Sequence, residues 1–237
     1  AEAAAKAFPG ARILRMDFDT TRQKGGHERI LEAFSKKQAD ILVGTQMIVK
    51  GHDFPGVTLV GVLAADLSLY AGDYRSAERT FQLLVQAAGR AGRGTTPGTA
   101  VIQTYSPDHY SIEAAAAQDY KAFFEQEMNF RRMMNYPPAA HLMALYLMSG
   151  DEEALNEGAR RLKELAMSHT RPEIQLIGPS DPGLSKLKDV YRKVLYLKCT
   201  EMAYLTEWKE WMEAELPGEK LLSTFNIQFD MDPVNPF

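Results

Sequence analysis

The stretch YRSAERTFQLLVQAAGRAGRG, residues 74–94, carries two patterns at once. Phe81, Leu84, Val85 and Ala88 recur at helical spacing, so the reading is a helix over 74–90 with one face in a core. Gln82, Gln86, Arg90 and Arg93 fall on another face, at steps of four, four and three. Guanidinium groups offer forked donors that match phosphate oxygens, and Gly89 and Gly92 between them allow close backbone approach. The same residues also fit a solvated basic helix end, because arginine near a helix C-terminus is favoured by the helix dipole.

Outward from this helix, strands and helices alternate. Residues 57–63 are a nearly continuous apolar run before it, and 98–104 a second strand after it. Upstream, 11–16 and 40–43 read as strands around a helical pattern at 26–34 whose apolar side is Ile30, Leu31 and Phe34. This order predicts an α/β fold with a parallel doubly wound sheet. Asp17, Asp19, Thr20 and Thr21 then form a polar strand end of the kind where such sheets hold ligands. The loop GTQMIVKGHDFP, residues 44–55, follows another strand. In it Thr45 and Gln46 offer side-chain donors and Lys50 a positive charge; Gly51 allows close approach, and Asp53 can accept from a ribose hydroxyl or an arginine. Residues of these types are also common turn formers, so the loop alone stays open to that reading.

The second half begins with a helix over 111–135 and breaks at Tyr136-Pro137-Pro138, which places a hinge near Tyr136. Strands at 141–148, 174–177, 190–199 and 221–229, with helices at 151–166 and 205–215, follow the order β-α-β-β-α-β. That order predicts an α+β, split ferredoxin-like domain. The expected organisation is therefore residues 1–110, a connecting helix at 111–136 and residues 137–237. Residues 171–199 hold six basic side chains against three acidic ones. Among them Lys186, Lys188, Arg192 and Lys193, with Tyr191 and Tyr196, can track a phosphate backbone and offer a stacking ring. An ordinary solvated strand pair fits equally, with Asp181 and Asp189 diluting the charge. Trp208 and Trp211 read as core or near-core residues.

Composition sets the bounds. The chain has 237 residues, 45% of them hydrophobic, and a net charge of -4, so any nucleic-acid contact must be local. The single cysteine, Cys199, excludes an internal disulfide or a cysteine-based zinc cluster within these residues. The five histidines show no ligand-like spacing, and no metal site is expected. No apolar run approaches the ~20 residues of a membrane span, and no signal peptide is visible, so a cytoplasmic location with no membrane partner is expected. The alanine-rich start without a methionine suggests a chain that begins partway through a larger protein.

Taken together, GTQMIVKGHDFP followed by QAAGRAGR resembles motifs V and VI of superfamily 2 helicases, in the second of their RecA-like lobes. The intervening ADLSLYAGDYRSAERTFQLL and the preceding RMDFDTT are similar to the primosomal protein N′ (PriA) family of bacterial replication-restart helicases. The resemblance runs from about residue 8 to the end and is strongest over 40–105. It implies ATP and magnesium held between two lobes, with Arg93 as arginine finger and Arg90 and Gln86 beside it. Gly51 and Asp53 would sense nucleotide, and Thr45, Gln46 and Lys50 would face single-stranded DNA. The implied partners are single-stranded and forked DNA, single-stranded DNA-binding protein and other primosome proteins.

The resemblance also defines what these residues do not carry. No G-x-x-x-x-G-K-[ST] occurs, and no DEAH- or DEEH-like tetrapeptide. The family's zinc-binding cysteines would lie upstream, so no cofactor is expected on this stretch alone and it should be catalytically incompetent by itself. Two rivals remain: a RecG-type fork-reversal translocase, and a non-enzymatic adaptor with a RecA-like binding platform. The predicted ferredoxin-like domain disfavours the first, and intact Gln86, Arg90 and Arg93 disfavour the second.

Overall fold

The computed structural model describes residues 1–22, 25–48, 54, 56–92 and 96–234. They divide into two compact units: Ala1–Tyr70 with Arg75–Phe123, and Ala71–Tyr74 with Phe124–Phe237.

The first unit opens with α1 (Glu2–Ala7), β1 (Ile13–Met16), α2 (Phe18–Thr21), α3 (Gly26–Ser35) and β2 (Ile41–Gly44). β1 and β2 pair in parallel, from Ile13 opposite Ile41 to Met16 opposite Gly44. The sequence enforces this register at both ends. Arg12 grips Asp40 through Nη2–Oδ1 at 2.8 Å and Nε–Oδ2 at 3.0 Å, a forked pair at the entrance. At the exit a Cβ on Gly44 would lie 2.1 Å from the Met16 carbonyl oxygen, so only glycine fits there. Met16, Leu31 and Phe54 are buried beneath, with Ile30, Phe34 and Leu42 packed against them.

β3 (Leu59–Val62) then leads through α4 (Ser76–Ala88) to β4 (Thr99–Ile102), and β3 and β4 are also parallel. Phe81, Leu84 and Ala87 form the buried stripe of α4, against Ala65 and the next helix, α5 (Tyr110–Ala117). The Phe81 ring stacks on Phe123 at 4.2 Å. Beyond α4 the backbone closes on itself. Gly92, at φ +72°, donates its N–H to the Val57 carbonyl at 2.9 Å and crosses Gly98. A Cβ on Gly92 would stand 2.5 Å from the Gly98 nitrogen, and one on Gly98 2.1 Å from the Gly92 nitrogen.

Two expectations are corrected here. The single doubly wound sheet is, among the described residues, two separate two-stranded parallel sheets, β1–β2 and β3–β4. Neither pair finds the other's hydrogen-bonding edge, and β3 and β4 leave Leu59 62% and Val101 54% exposed, unlike strands covered on both faces. The helix expected over 111–135 is α5 followed by α6 (Tyr120–Met134). Gln118 takes a left-handed conformation at φ +55°, ending α5, and the Asp119 carboxylate accepts the Ala122 N–H at 2.9 Å to start α6.

In the second unit the order is β5 (His141–Ser149), α7 (Glu152–Ser168), β6 (Gln175–Ser180), β7 (Lys186–Leu187), β8 (Val190–Cys199), α8 (Met202–Glu215) and β9 (Asn226–Met231). The antiparallel sheet runs β6-β8-β5-β9, with β7 as a short hairpin arm on β8. Lys188 and Asp189, at φ +49° and +60°, make the two-residue turn of that hairpin. The strand expected over 221–229 is instead a 3-10 turn at Leu222–Thr224 followed by β9. Leu222 is buried in that turn, so its apolar signal comes from core packing and not from strand pairing.

Strand alternation gives the sheet two buried faces. Met143, Leu145, Leu195 and Leu197 meet Leu162 of α7 and Leu205, Trp208 and Met212 of α8. Trp208 is fully buried and Trp211 partly so, stacked on His169 at 4.1 Å, as the sequence suggested. On the opposite face Ala144, Tyr146 and Val194 are buried with Met148 and Tyr196. Within α6 a buried pair, Arg131 Nε to Glu127 Oε1 at 2.7 Å, is completed by Arg131 donating to the Pro137 carbonyl at 2.8 Å.

Two outcomes are expected. Gly92→Ala combines a left-handed backbone with a collision at Gly98, and should lower stability by about 1–3 kcal/mol in thermal or denaturant unfolding. An unchanged midpoint would show that the crossing opens in solution. The Arg12 guanidinium holds the Asp40 carboxyl down at about 2. A depressed carboxyl stabilises above its unfolded value of roughly 4 and loses that contribution as pH falls through the folded one. In acid titration, the stability difference between wild type and Asp40→Asn should therefore vanish between about pH 4 and about pH 2. A difference independent of pH would contradict the pairing.

Candidate nucleotide and DNA interface

The buried stripe of α4 leaves Gln82 and Gln86 exposed. Gln82 donates to Glu78 Oε1 at 3.1 Å, one turn back, and Gln86 follows one turn on. The helix then stops. Gly89 caps it, its N–H reaching the Val85 carbonyl at 2.9 Å, and the Arg90 N–H continues the turn to Ala87 at 3.0 Å. Gln86 and Arg90 thus stay on one side, four residues apart, with Arg90 half-buried. Beyond Arg90, Gly92 turns the chain out of the helix at φ +72°. Its close neighbour is Gly98 of the same chain, so this glycine serves the fold's own crossing. Arg93, Lys50, Gly51 and Asp53 lie outside the described residues.

At the carboxyl end of β2, Thr45 and Gln46 are both exposed. The tight Gly44–Met16 approach ends the strand there, and a 3-10 turn at Gln46–Ile48 begins with the Ile48 N–H bonded to the Thr45 carbonyl at 3.1 Å. Two side-chain donors are therefore displayed beyond a parallel strand, where open α/β sheets bind their ligands. The polar end of β1 behaves differently. Asp17 caps α2, accepting the Thr20 N–H at 3.0 Å, and also takes a hydrogen bond from Arg15. The Thr20 bond foremost holds its carboxyl below the usual range. This carboxylate is committed to local structure.

One acid in this unit is not singled out by its sequence pattern. Asp66, buried after β3, accepts the Tyr105 N–H at 3.0 Å, which lowers its pKa and ties the ends of β3 and β4 together. The only sequence signal was an acid placed directly after the apolar run at 57–65.

In the second unit the four basic candidates are distributed, not aligned. The unbroken register of β8 against β5 puts Lys193 on the face of Leu195 and Leu197, and Arg192 on the face of Val194 and Tyr196. Lys193 pairs with Asp181 at 2.9 Å. Lys186 pairs with Asp189 at 3.4 Å, donates to the Tyr191 hydroxyl at 3.0 Å and sits 4.4 Å from that ring's centroid. The Tyr191 contact foremost raises its pKa. Lys188 is exposed at the hairpin tip. Tyr191 is thus occupied by a lysine, and burial raises the phenol of the partly buried Tyr196. Among the described residues no group of three or more His, Cys, Asp or Glu is arranged to hold a metal ion, and no helix is long and apolar enough to cross a membrane.

Comparison with known proteins follows the same division. Residues 2–95 match the helicase conserved C-terminal domain, and residues 132–234 the primosomal protein N C-terminal domain. Over 96% of its length the chain is 44% identical to the replication restart protein PriA of Bacillus subtilis (strain 168). It is 38% identical to that of Synechocystis over 99% of its length, and 38% to that of Chlamydia muridarum over 97%. The chain spans 28%, 28% and 30% of those three proteins. On these matches the chain belongs to the PriA replication restart family, as a counterpart of its C-terminal part: a helicase C-terminal domain followed by the primosomal C-terminal domain.

Proposed function

We propose that the chain is the C-terminal part of an ATP-dependent DNA helicase that remodels stalled forks and starts primosome assembly. The observation that carries this is the placement of exposed Gln86 and half-buried Arg90 four residues apart at the end of α4, which the Gly92–Gly98 crossing pins, within a match to the helicase C-terminal domain. In this reading residues 1–110 are the second RecA-like lobe, 111–136 the connection and 137–237 a ferredoxin-like domain. The strand order β6-β8-β5-β9 with one helix between β5 and β6 and another between β8 and β9 supports the last assignment.

The chemistry follows from the side chains. ATP bound against another lobe would present a γ-phosphate whose charge spreads over its outer oxygens as the bond to the leaving group stretches. Arg93 and Arg90 would supply cationic donors for that charge, and Gln86 a neutral donor. One observation supports this: the Arg90 backbone is held by its own turn, at the end of α4. Gly51 and Asp53 would report on nucleotide, while Thr45, Gln46 and Lys50 meet the phosphodiester backbone. Magnesium and the phosphate-gripping lysine belong to the other lobe, and zinc to a cysteine cluster outside these residues.

DNA contact by Lys186, Lys188, Arg192 and Lys193 is the weaker part of the reading. Two of the four are already paired with acids, and two lie on opposite sheet faces, so Lys188 at the hairpin tip is the best placed. Single-stranded and forked DNA, single-stranded DNA-binding protein and other primosome proteins are the proposed partners, in the cytoplasm. A RecG-type translocase is disfavoured by the match of residues 132–234 to the primosomal domain.

The test is kinetic. In the full-length protein Arg93→Ala should reduce ATP turnover by roughly a thousandfold, with nucleotide affinity little changed, while residues 1–237 alone should show no DNA-stimulated hydrolysis. Near-normal turnover in Arg93→Ala would remove that residue from the site.

A further inference from the structure

In the first unit β1 and β2 end side by side, with Met16 opposite Gly44, and each strand hands the chain to a short turn. After β2 come Thr45 and Gln46, both exposed. After β1 comes α2, whose first residue is Phe18. That ring is 68% exposed, although it follows the buried Met16 by only two positions. The Arg22 guanidinium lies over it, 5.1 Å from its centroid, and Arg22 is itself exposed. A single exposed ring says little, since such residues are common on surfaces. Its surroundings say more.

The turn that carries Phe18 is held tightly. Asp17 and Thr20 close a capping box, with the Thr20 N–H donating to Asp17 Oδ1 at 3.0 Å and the Asp17 N–H to Thr20 Oγ1 at 2.9 Å. The Thr21 hydroxyl donates to the Asp17 carbonyl at 2.7 Å. Behind the turn, α3 starts so close that a Cβ on Gly26 would stand 3.1 Å from the Thr20 carbonyl oxygen. The ring therefore projects from a backbone with little freedom, and loses little entropy on meeting a flat ligand. One of its faces holds a cation, which the ring quadrupole attracts. The other face is what a base needs. Of the nearby acids, Asp17 is taken by Arg15 and Thr20, while Asp19 stands exposed on the same turn. Asp19 balances Arg22, so attraction to phosphate is weak at this spot and stacking must carry the contact.

We propose that Phe18 is a stacking platform for one base of single-stranded DNA, with Arg22 bracing the ring and Thr45 and Gln46 meeting the adjoining backbone. Aromatic faces accept any base, and polar groups beside them follow sugar and phosphate, which is how single strands are bound without sequence preference. Both halves of such a site stand here at neighbouring strand ends of one parallel pair, where open α/β sheets take ligands. Phe18 is too exposed to belong to the core of Met16, Leu31 and Phe54, so it does not serve to hold the sheet. The inference rests on the reading of Thr45 and Gln46 as residues that face DNA.

The experiment uses the full-length protein and a single-stranded thymidine oligonucleotide, read as the DNA concentration that half-maximally stimulates ATP hydrolysis. Phe18→Ala should raise that concentration about tenfold, as loss of one stacked base does. Its dependence on salt should not change, because a ring releases no counterions. Phe18→Trp keeps an aromatic face and should match wild type or bind more tightly. Phe18→Leu keeps an apolar side chain without a face and should behave as Phe18→Ala. Wild-type binding in Phe18→Leu overturns the proposal. Crosslinking of the wild-type protein gives an answer that does not depend on a variant folding. Irradiated on an oligonucleotide that carries iodouracil, the protein should crosslink at Phe18, and crosslinks formed elsewhere but not there overturn the platform. If Phe18→Ala and the double variant Thr45→Ala with Gln46→Ala both bind as wild type, the DNA reading of these strand ends falls and takes the platform with it. If the double variant binds weakly while Phe18→Ala binds normally, only the platform falls.

Discussion

The crossing of Gly92 over Gly98 is the constraint on which the first unit turns. Two backbones pass so closely that neither position has room for a Cβ, and the Gly92 N–H is spent on the Val57 carbonyl. That one contact joins the exit of α4 to the approaches of both β3 and β4. It stops the helix within a turn of Arg90, and it fixes where the parallel pair begins. The end of α4 is therefore set by backbone geometry.

The second unit solves a different problem. Its sheet has two apolar faces, and the two helices α7 and α8 cover only one of them. Near the other face stand Tyr136 and Lys198, with the C-terminal half of α6 and the segment Ala71–Tyr74 in the same unit. Burying cations there is costly unless they are paired. Glu127 neutralises Arg131, while Lys198 has a carbonyl and an aromatic face. The arrangement spends charged groups on joining segments that are distant in sequence, and leaves few cations for a continuous DNA-binding stripe.

Much of this was legible in the sequence, for physical reasons. The apolar spacing of Phe81 and Leu84 and the β-strand runs at 141–148 and 190–199 report burial directly, and burial is what forms these elements. The stretches at 44–55 and 86–93 were each ambiguous alone, and only their order and spacing together pointed to the helicase C-terminal domain that residues 2–95 match. What stayed hidden depended on pairing at a distance. Nothing in the sequence of 11–104 says that the four strands among its described residues form two separate pairs, since pairing edges leave no mark on a strand's own pattern. The break at Gln118 was masked by helix-forming neighbours on both sides, and a left-handed glutamine has no propensity signal. Lys186, Lys188, Arg192 and Lys193 read as one basic patch because composition ignores the alternation that sends Arg192 and Lys193 to opposite faces. Tyr74 reads as the first residue of a helix, and its stack on Tyr136, 62 positions later, leaves no mark in the sequence.

The central claim is that the C-terminal end of α4 faces the γ-phosphate of ATP. A structure of the full-length protein bound to DNA and a transition-state analogue of ATP hydrolysis measures it most directly. The account predicts the Arg93 or Arg90 guanidinium within about 2.7–3.1 Å of the oxygens that stand for the transferring phosphoryl group. Both guanidiniums turned away from the nucleotide, beyond the reach of a hydrogen bond, would contradict it.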